Sequence, residues 1–415
     1  MTEHMRDWSL AIDFGMYCTS AAASQSTGAE EDPAPTILPL GTGYGGLLPS
    51  LVCLDDNGRL LTGEAALEAA PHRPERAERA AKRALVEQEQ VLLGGGAVAT
   101  ADLAAAVLTR ALEQARARHG GTSPGRTVLT HPAHWAPQQL ARLGAAAAAA
   151  EIPRPEFLPE PVAVARHHMA GRGLPDAAHL AEPSEGGHIA VYDLGGAFKV
   201  SVLAWDGRRF TVVRTGGDHD LGGDDLDECL RGLLAERVLD RDPGPWQDLW
   251  EDTSPDAVRQ RVAVRRTLVA ARETLSGSTS VDVRVPGYPE PFLVRGHEFR
   301  TAAEPVIERT YDLLAETVRQ AGREPGDLHA VIIAGGAGRT PRVSDLIAER
   351  TGRLPLLARD PKAAVVLGAL AQPPSDRRGR RATADEPRSD GLDTGRPSKS
   401  AIRYFDESGN PFSDV

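Results

Sequence analysis

Two segments of the chain carry the same short pattern: an apolar strand ending in aspartate, a glycine turn, and a second apolar strand. The first is Ala11-Ile12-Asp13-Phe14-Gly15 followed by residues 19–23; the second is Val191-Tyr192-Asp193-Leu194-Gly195-Gly196 followed by residues 200–205. A hairpin of this kind aims the backbone N–H groups of its turn at an anion, and glycine lets that anion approach the main chain closely. The aspartate at the strand end suits a hydrated Mg²⁺ held beside phosphates. Asp-x-Gly by itself also marks ordinary turns. Two copies at matching places in two halves of a chain point instead to facing lobes that grip one nucleotide between them.

At 415 residues the chain is long enough for more than one core, and 41% hydrophobic with 25% charged residues is an ordinary globular composition. A net charge of −11 argues against bulk binding to nucleic acid or to an anionic membrane. Cys18, Cys53 and Cys229 share no metal or redox spacing, which fits a reducing compartment. No apolar run reaches membrane-spanning length, and residues 1–10 lack a signal peptide's apolar stretch, so the expected location is the cytoplasm.

Strand-like runs at 10–12, 127–130, 188–192, 200–204, 210–214, 281–285 and 330–334 alternate with helical patterns. The helical patterns cover 101–118, 137–150, 221–239, 254–275, 302–321 and 342–351, and the mixture predicts an α/β fold with two lobes. The polar stretch 171–187 reads as the crossover between them. From Pro373 onward Arg, Asp, Ser, Pro and Gly dominate, the composition of a disordered tail. Its Ala401-Ile402-Arg403-Tyr404-Phe405 run is an apolar exception, either a stray patch or a dock for a partner.

Five segments, in order, resemble the nucleotide-binding domain of the DnaK-type (70-kDa heat-shock) chaperones, within the actin and sugar-kinase superfamily. They are Ile12-Asp13-Phe14-Gly15, Thr130-His131-Pro132-Ala133-His134-Trp135, Leu158-Pro159-Glu160-Pro161-Val162-Ala163, Asp193-Leu194-Gly195-Gly196, and the run from Ile333 through Gly335-Gly336 to Arg339-Thr340-Pro341. Segments 217–227, 271–278 and 360–369 extend the likeness to roughly residues 8–372. The resemblance implies a two-lobed actin-like ATPase fold of duplicated ribonuclease-H-like lobes. Lobe I would span 1–187 and lobe II 188–352, with 353–372 returning to lobe I and 373–415 forming the tail.

The resemblance also implies ATP or ADP with Mg²⁺ as the ligands. Asp13 and Asp193 would hold the Mg²⁺ through water, and Gly15, Met16, Tyr17, Gly195, Gly196 and Ala197 would offer donors to the phosphates. Glu160 falls where the family has a carboxylate near the attacking water; an acid favoured by the helix dipole is the other reading. Lys82 falls where the family has a catalytic lysine, and it is one of only four lysines, with Lys199, Lys362 and Lys399, in an arginine-rich chain. A compact ammonium suits a terminal phosphate. Gly222 and Gly223 match residues beside the nucleotide, Gly335, Gly336 and Arg339 match the nucleoside turn, and Arg272 with Ser276 match ribose and base contacts. Val269 stands where the family has glutamate and Glu273 where it has arginine, so the adenine contacts are altered.

Other departures bear on turnover. Met16 and Tyr17 replace two threonines, the second hairpin is one residue shorter, and Lys199 replaces an ion-site aspartate. Lys199 either substitutes its ammonium for a monovalent cation or is a solvated strand lysine. Losing hydroxyls and an acid from a phosphoryl-transfer site slows chemistry more than binding, which rests largely on backbone donors. The 218–229 segment fails as a calcium loop because Cys229 takes the place of its last acid, and His131, His134, His167 and His168 lack a zinc pattern. Pro132 keeps the family's switch proline, but Leu140 replaces its relay arginine. The 43 residues after Gln372 are too few for the family's peptide-binding domain, and no Val/Leu-rich linker follows Ala371. The leading expectation is a DnaK-like ATP-binding protein in which Lys82, Glu160 and Asp193 support slow hydrolysis. The alternative is a pseudo-ATPase, a nucleotide-gated module recruiting a protein partner through lobe II or the tail. A small-molecule kinase fits less well, because the segments between motifs follow the chaperone pattern rather than opening a sugar site.

Overall fold

The structure, a computed structural model, describes residues 8–25, 33–41, 44–171, 180–357 and 361–371. Part of the expected crossover, 172–179, and the expected tail lie outside the described residues.

Two large sheets repeat one plan. In the first, β1 (Trp8–Asp13) turns back antiparallel as β2 (Cys18–Gln25), with β3 (Thr36–Leu38) beyond it. On its other side β1 runs parallel to β4 (Arg126–His131), which is followed by β5 (Glu156–Pro159), giving the order β5-β4-β1-β2-β3. The second sheet is made of β6 (His188–Leu194), β7 (Phe198–Trp205), β8 (Phe210–Asp218), β9 (Ala330–Ala334) and β10 (Leu356–Leu357), in the order β10-β9-β6-β7-β8. Strand for strand the orders coincide, so the duplication seen in two hairpins extends to both sheets. Asp13 therefore lies opposite Ser20 and beside Thr130, while Asp193 lies opposite Lys199 and beside Ala334.

The central strands are apolar on both faces because helices cover both. Leu10 and Ile12 point into a core built with the Thr100–Arg118 and Pro137–Ala149 helices, while Ala11 between them faces the Pro361–Leu370 helix. In the second sheet Tyr192 and Leu194 pack with the Gly223–Leu239 and Gly296–Gln320 helices. Ile189 and Val191, on the opposite face, pack with Val162 and Val164 of the Glu160–Ala170 helix. That helix lies between the sheets, and its first residue is Glu160.

Two expectations on boundaries change. The segment 353–372 does not return to lobe I as a unit. Leu356 and Leu357 pair parallel with Ile332 and Ile333 in the second sheet, and the return is made by the Pro361–Leu370 helix, which packs on the first. A two-residue strand has too little pattern to read. The helix expected at 302–321 begins at Gly296, because Glu298 accepts from the Arg295 N–H and Phe299 buries its ring in the core.

No helix among the described residues is long and apolar enough to cross a membrane. The Pro361–Leu370 and Glu160–Ala170 helices cross with their backbones nearly touching: a Cβ on Gly368 would meet the Ala163 carbonyl oxygen at 1.8 Å. Gly368→Ala is accordingly expected to force the helices apart and destabilise the fold by about 3 kcal/mol. Urea denaturation measures it, and an unchanged midpoint would show that the helices slide apart freely.

Candidate active site

Each hairpin turn is pinned by its neighbours. A Cβ on Gly15 would fall 2.1 Å from the Cys18 carbonyl oxygen, so the first turn closes only with glycine. The Ser50 hydroxyl donates to the Gly15 carbonyl at 2.8 Å, and the Ser50 N–H donates to the Tyr17 carbonyl at 2.9 Å. At the second turn the Gly223 N–H donates to the Gly195 carbonyl at 2.8 Å, and a Cβ on Gly222 would lie 2.5 Å from the Gly196 oxygen. The N-terminus of the Gly223–Leu239 helix thus rests backbone on backbone against the hairpin. The turns face one another, with Tyr17 Cε2 3.5 Å from where a Gly196 Cβ would sit. Met16 and Tyr17 are exposed, at 41% and 62%.

Between the turns lies a cluster of charge. Lys82, early in the Ala81–Glu87 helix, donates to Glu160 Oε1 at 2.8 Å, and Lys199 Nζ lies 3.9 Å from Glu160 Oε2. The Thr130 hydroxyl donates to Asp13 Oδ1 at 2.8 Å. Burial pushes the Glu160 carboxyl up, but the Lys82 and Lys199 ammonium groups outweigh it and hold the group down at about 2. Burial raises Asp193 to about 6 against the lowering pull of Lys199, with repulsion from Glu160 and Asp13 adding to the rise. Asp13 is raised for the same reasons, burial first and then Glu160. Glu160 is therefore neutralised within the protein, whereas the two hairpin aspartates are short of positive charge.

Lys199 is held above its ordinary value, first by Glu160 and then, against burial, by both aspartates; its side chain is 36% exposed, so it stands at the solvent edge of this cluster. His134 of lobe I meets His219 of lobe II edge to face, with ring centroids 6.0 Å apart, and burial lowers it to about 4.

On the nucleoside side, Gly335 has φ +80°, and a Cβ there would lie 2.3 Å from the Leu194 carbonyl oxygen and 2.7 Å from Asp193 Oδ1. This turn packs directly on the second hairpin, and Gly336 and Arg339 beside it are exposed. Arg272, expected to contact ribose or base, also has a partner within the protein. Its Nε donates to Asp227 Oδ1 at 2.7 Å and both side chains are buried, so the guanidinium braces the helix behind Gly223. The Ser276 hydroxyl donates to the Arg272 carbonyl at 3.2 Å, capping its own helix. Ala197 is half-buried in the second turn. Thr130, Ser50 and Asp227 were not expected in the site. Thr130 and Asp227 lie inside segments that carry the family resemblance, whereas nothing in the sequence around Ser50 marks it.

A family model described as Hsp70 protein matches residues 48–374. A chaperone protein HscA homolog of Pseudomonas putida KT2440 is 31% identical over 393 residues, covering 89% of this chain and 58% of the relative. HscA homologs of Pseudomonas fluorescens Pf-5 and Azotobacter vinelandii are 34% and 33% identical over 65% and 64% of this chain and 40% and 38% of their own. The chain spans about 38 to 58% of the length of such relatives. With the family model matched over most of the chain, and the duplicated sheets and facing hairpins in place, the chain belongs to the Hsp70 family and carries its ATPase domain.

Proposed function

We propose that the chain binds ATP or ADP with Mg²⁺ between its lobes and hydrolyses ATP slowly, in the cytoplasm. The observation that carries this reading is the meeting of the Lys82–Glu160 pair with the two hairpin aspartates at the mouth of two glycine turns. Asp13 and Asp193 are hard oxygen donors in want of a cation. Among the described residues no three acid, imidazole or thiolate ligands gather around one point to take a bare ion. A hydrated Mg²⁺, which keeps several waters, suits that donor set and would neutralise the phosphates. The turns supply N–H donors to the phosphate oxygens, Lys82 sets an ammonium toward the terminal phosphate, and Glu160 offers an acceptor for a proton of the attacking water. Slow turnover is supported by Met16 and Tyr17, which bring no hydroxyl to the places where the family has threonine. Single-turnover hydrolysis measured beside equilibrium ATP binding tests the reading: slow, Mg²⁺-dependent turnover supports it, and fast turnover contradicts it.

Lys199 favours a second reading, a pseudo-ATPase whose nucleotide-bound shape recruits a protein partner through lobe II or the tail. With an ammonium 3.9 Å from Glu160, the site has a built-in monovalent charge. Nucleotide binding is then expected to be indifferent to exchanging K⁺ for Na⁺. Lys199→Asp is expected to create a K⁺ requirement, because a fourth carboxylate beside phosphates needs a countercharge. Calorimetry in each salt measures both. A wild type that already depends strongly on K⁺ would remove Lys199 from the phosphate site.

A further inference from the structure

The glycine two residues after each hairpin aspartate, Gly15 in one lobe and Gly195 in the other, has its carbonyl oxygen held from outside the hairpin. At Gly195 the donor is the Gly223 N–H, at 2.8 Å; at Gly15 it is the Ser50 hydroxyl, also at 2.8 Å. A trans peptide sets its C=O and its N–H on opposite sides of the chain, and both peptides here are trans. Drawing the two carbonyls back into the protein therefore turns the next N–H groups, those of Met16 and Gly196, the other way. Neither N–H donates to an acceptor among the described residues, and Met16 and Gly196 are both exposed. Two unrelated donors, a main-chain amide in lobe II and a side-chain hydroxyl in lobe I, thus produce one backbone arrangement.

Ser50 reaches Gly15 because Leu48 and Pro49 pair antiparallel with Thr19 and Cys18, which lays the residue after them beside the turn. Its N–H donates to the Tyr17 carbonyl at 2.9 Å, so this one residue holds both ends of the Gly15–Tyr17 turn. Its own carbonyl accepts from the Ala81 N–H at 3.4 Å, and Ala81 opens the helix that carries Lys82. The hydroxyl proton is committed to Gly15, so the Thr19 hydroxyl, 3.0 Å away, is the donor to Ser50 Oγ. Ser50 and Thr19 are both fully buried, so no water competes for these bonds.

We propose that Ser50 is a positioning residue for the nucleotide's phosphates: its hydroxyl holds the Gly15–Met16 peptide with the Met16 N–H aimed at a phosphate oxygen. The inference rests on the nucleotide reading of the cleft, and Ser50 acts from behind the turn, without touching the ligand. In Ser50→Ala the Gly15 carbonyl loses its donor and the peptide is free to rotate, so binding must first order it. That variant also leaves the buried Thr19 hydroxyl without a partner, which lowers stability by itself. Thr19→Val is the control, because it too removes the Thr19–Ser50 bond but leaves the bond from Ser50 to Gly15.

Only four methionines occur, so nitrogen-15 methionine labelling of the full chain yields few amide signals, with Met16 assigned by its loss in Met16→Leu. ADP with Mg²⁺ is titrated in, and calorimetry on the wild type establishes separately whether ADP binds. The wild-type Met16 signal is expected to move and saturate. In Ser50→Ala the same titration should need about tenfold more ADP, the worth of one hydrogen bond, and the Met16 signal should stop short of its wild-type end point. Thr19→Val is expected to titrate like the wild type. Ser50→Cys, of similar size with a weak S–H donor, should fall between the wild type and Ser50→Ala, and it decides the matter if Ser50→Ala does not fold. ADP that binds while the Met16 signal stays still overturns the role of Ser50. So does a Ser50→Ala or Ser50→Cys titration equal to the wild type, or a loss in Thr19→Val as large as theirs. Absence of ADP binding by the folded wild type overturns the nucleotide reading, and this inference with it.

Discussion

Glu160→Gln is expected to slow single-turnover ATP hydrolysis about a hundredfold, the worth of one transition-state interaction of about 3 kcal/mol, while ATP affinity stays within about tenfold. The amide keeps an oxygen for the Lys82 hydrogen bond, now 2.8 Å long, so the pair's geometry survives. What is lost is the charge that makes Glu160 an acceptor for the water's proton. Lys82→Ala should slow chemistry similarly but is the harder experiment to read. Its removal strips a buried carboxylate of its nearest countercharge, a change that costs about 3–5 kcal/mol of stability when both partners are deeply buried. Rapid-quench measurements on folded protein decide the matter, and an intact rate in Glu160→Gln would take Glu160 out of the chemistry.

Gly335→Val is expected to weaken nucleotide binding about a hundredfold or more, whereas Gly336→Ala, one residue on, leaves it within a few-fold. A β-branched residue at φ +80° is strained by about 1–3 kcal/mol. Its Cβ would also strike the Leu194 carbonyl at 2.3 Å and push the nucleoside turn off the second hairpin, displacing Asp193 with it. Gly336 has φ −67° and open space around it, so alanine fits there without strain. The contrast between adjacent positions separates a packing role from direct contact with the base. Equal losses at both would mean that the turn is read by the ligand rather than by the hairpin.

The parts of this molecule legible in its sequence are those fixed by local backbone chemistry. The Asp13 hairpin needs Gly15 at a close approach, and Gly222 and Gly335 press backbone against the Asp193 hairpin, which leaves a pattern of glycines. Lys82 stands out because so few lysines occur, and Glu160 because it opens a helix at Glu-Pro. What was hidden depends on register between distant elements. Thr130 reaches Asp13 only because β4 lies parallel to β1 with those residues side by side. Asp227 captures Arg272 through the packing of two helices, which no spacing along the chain encodes. The early start of the Gly296–Gln320 helix was masked by Gly296 and by Pro305 inside it, both of which argue locally against helix.

Calorimetric titration of ATP into the wild-type chain, with Mg²⁺ and then with a chelator, addresses the central claim that two facing hairpins form one Mg²⁺-nucleotide site. One nucleotide per chain is expected with Mg²⁺, at least about tenfold weaker once the two aspartates face the triphosphate without their cation, a difference of about 1.4 kcal/mol. No heat from folded protein at nucleotide concentrations up to about 1 mM, in either condition, would contradict it.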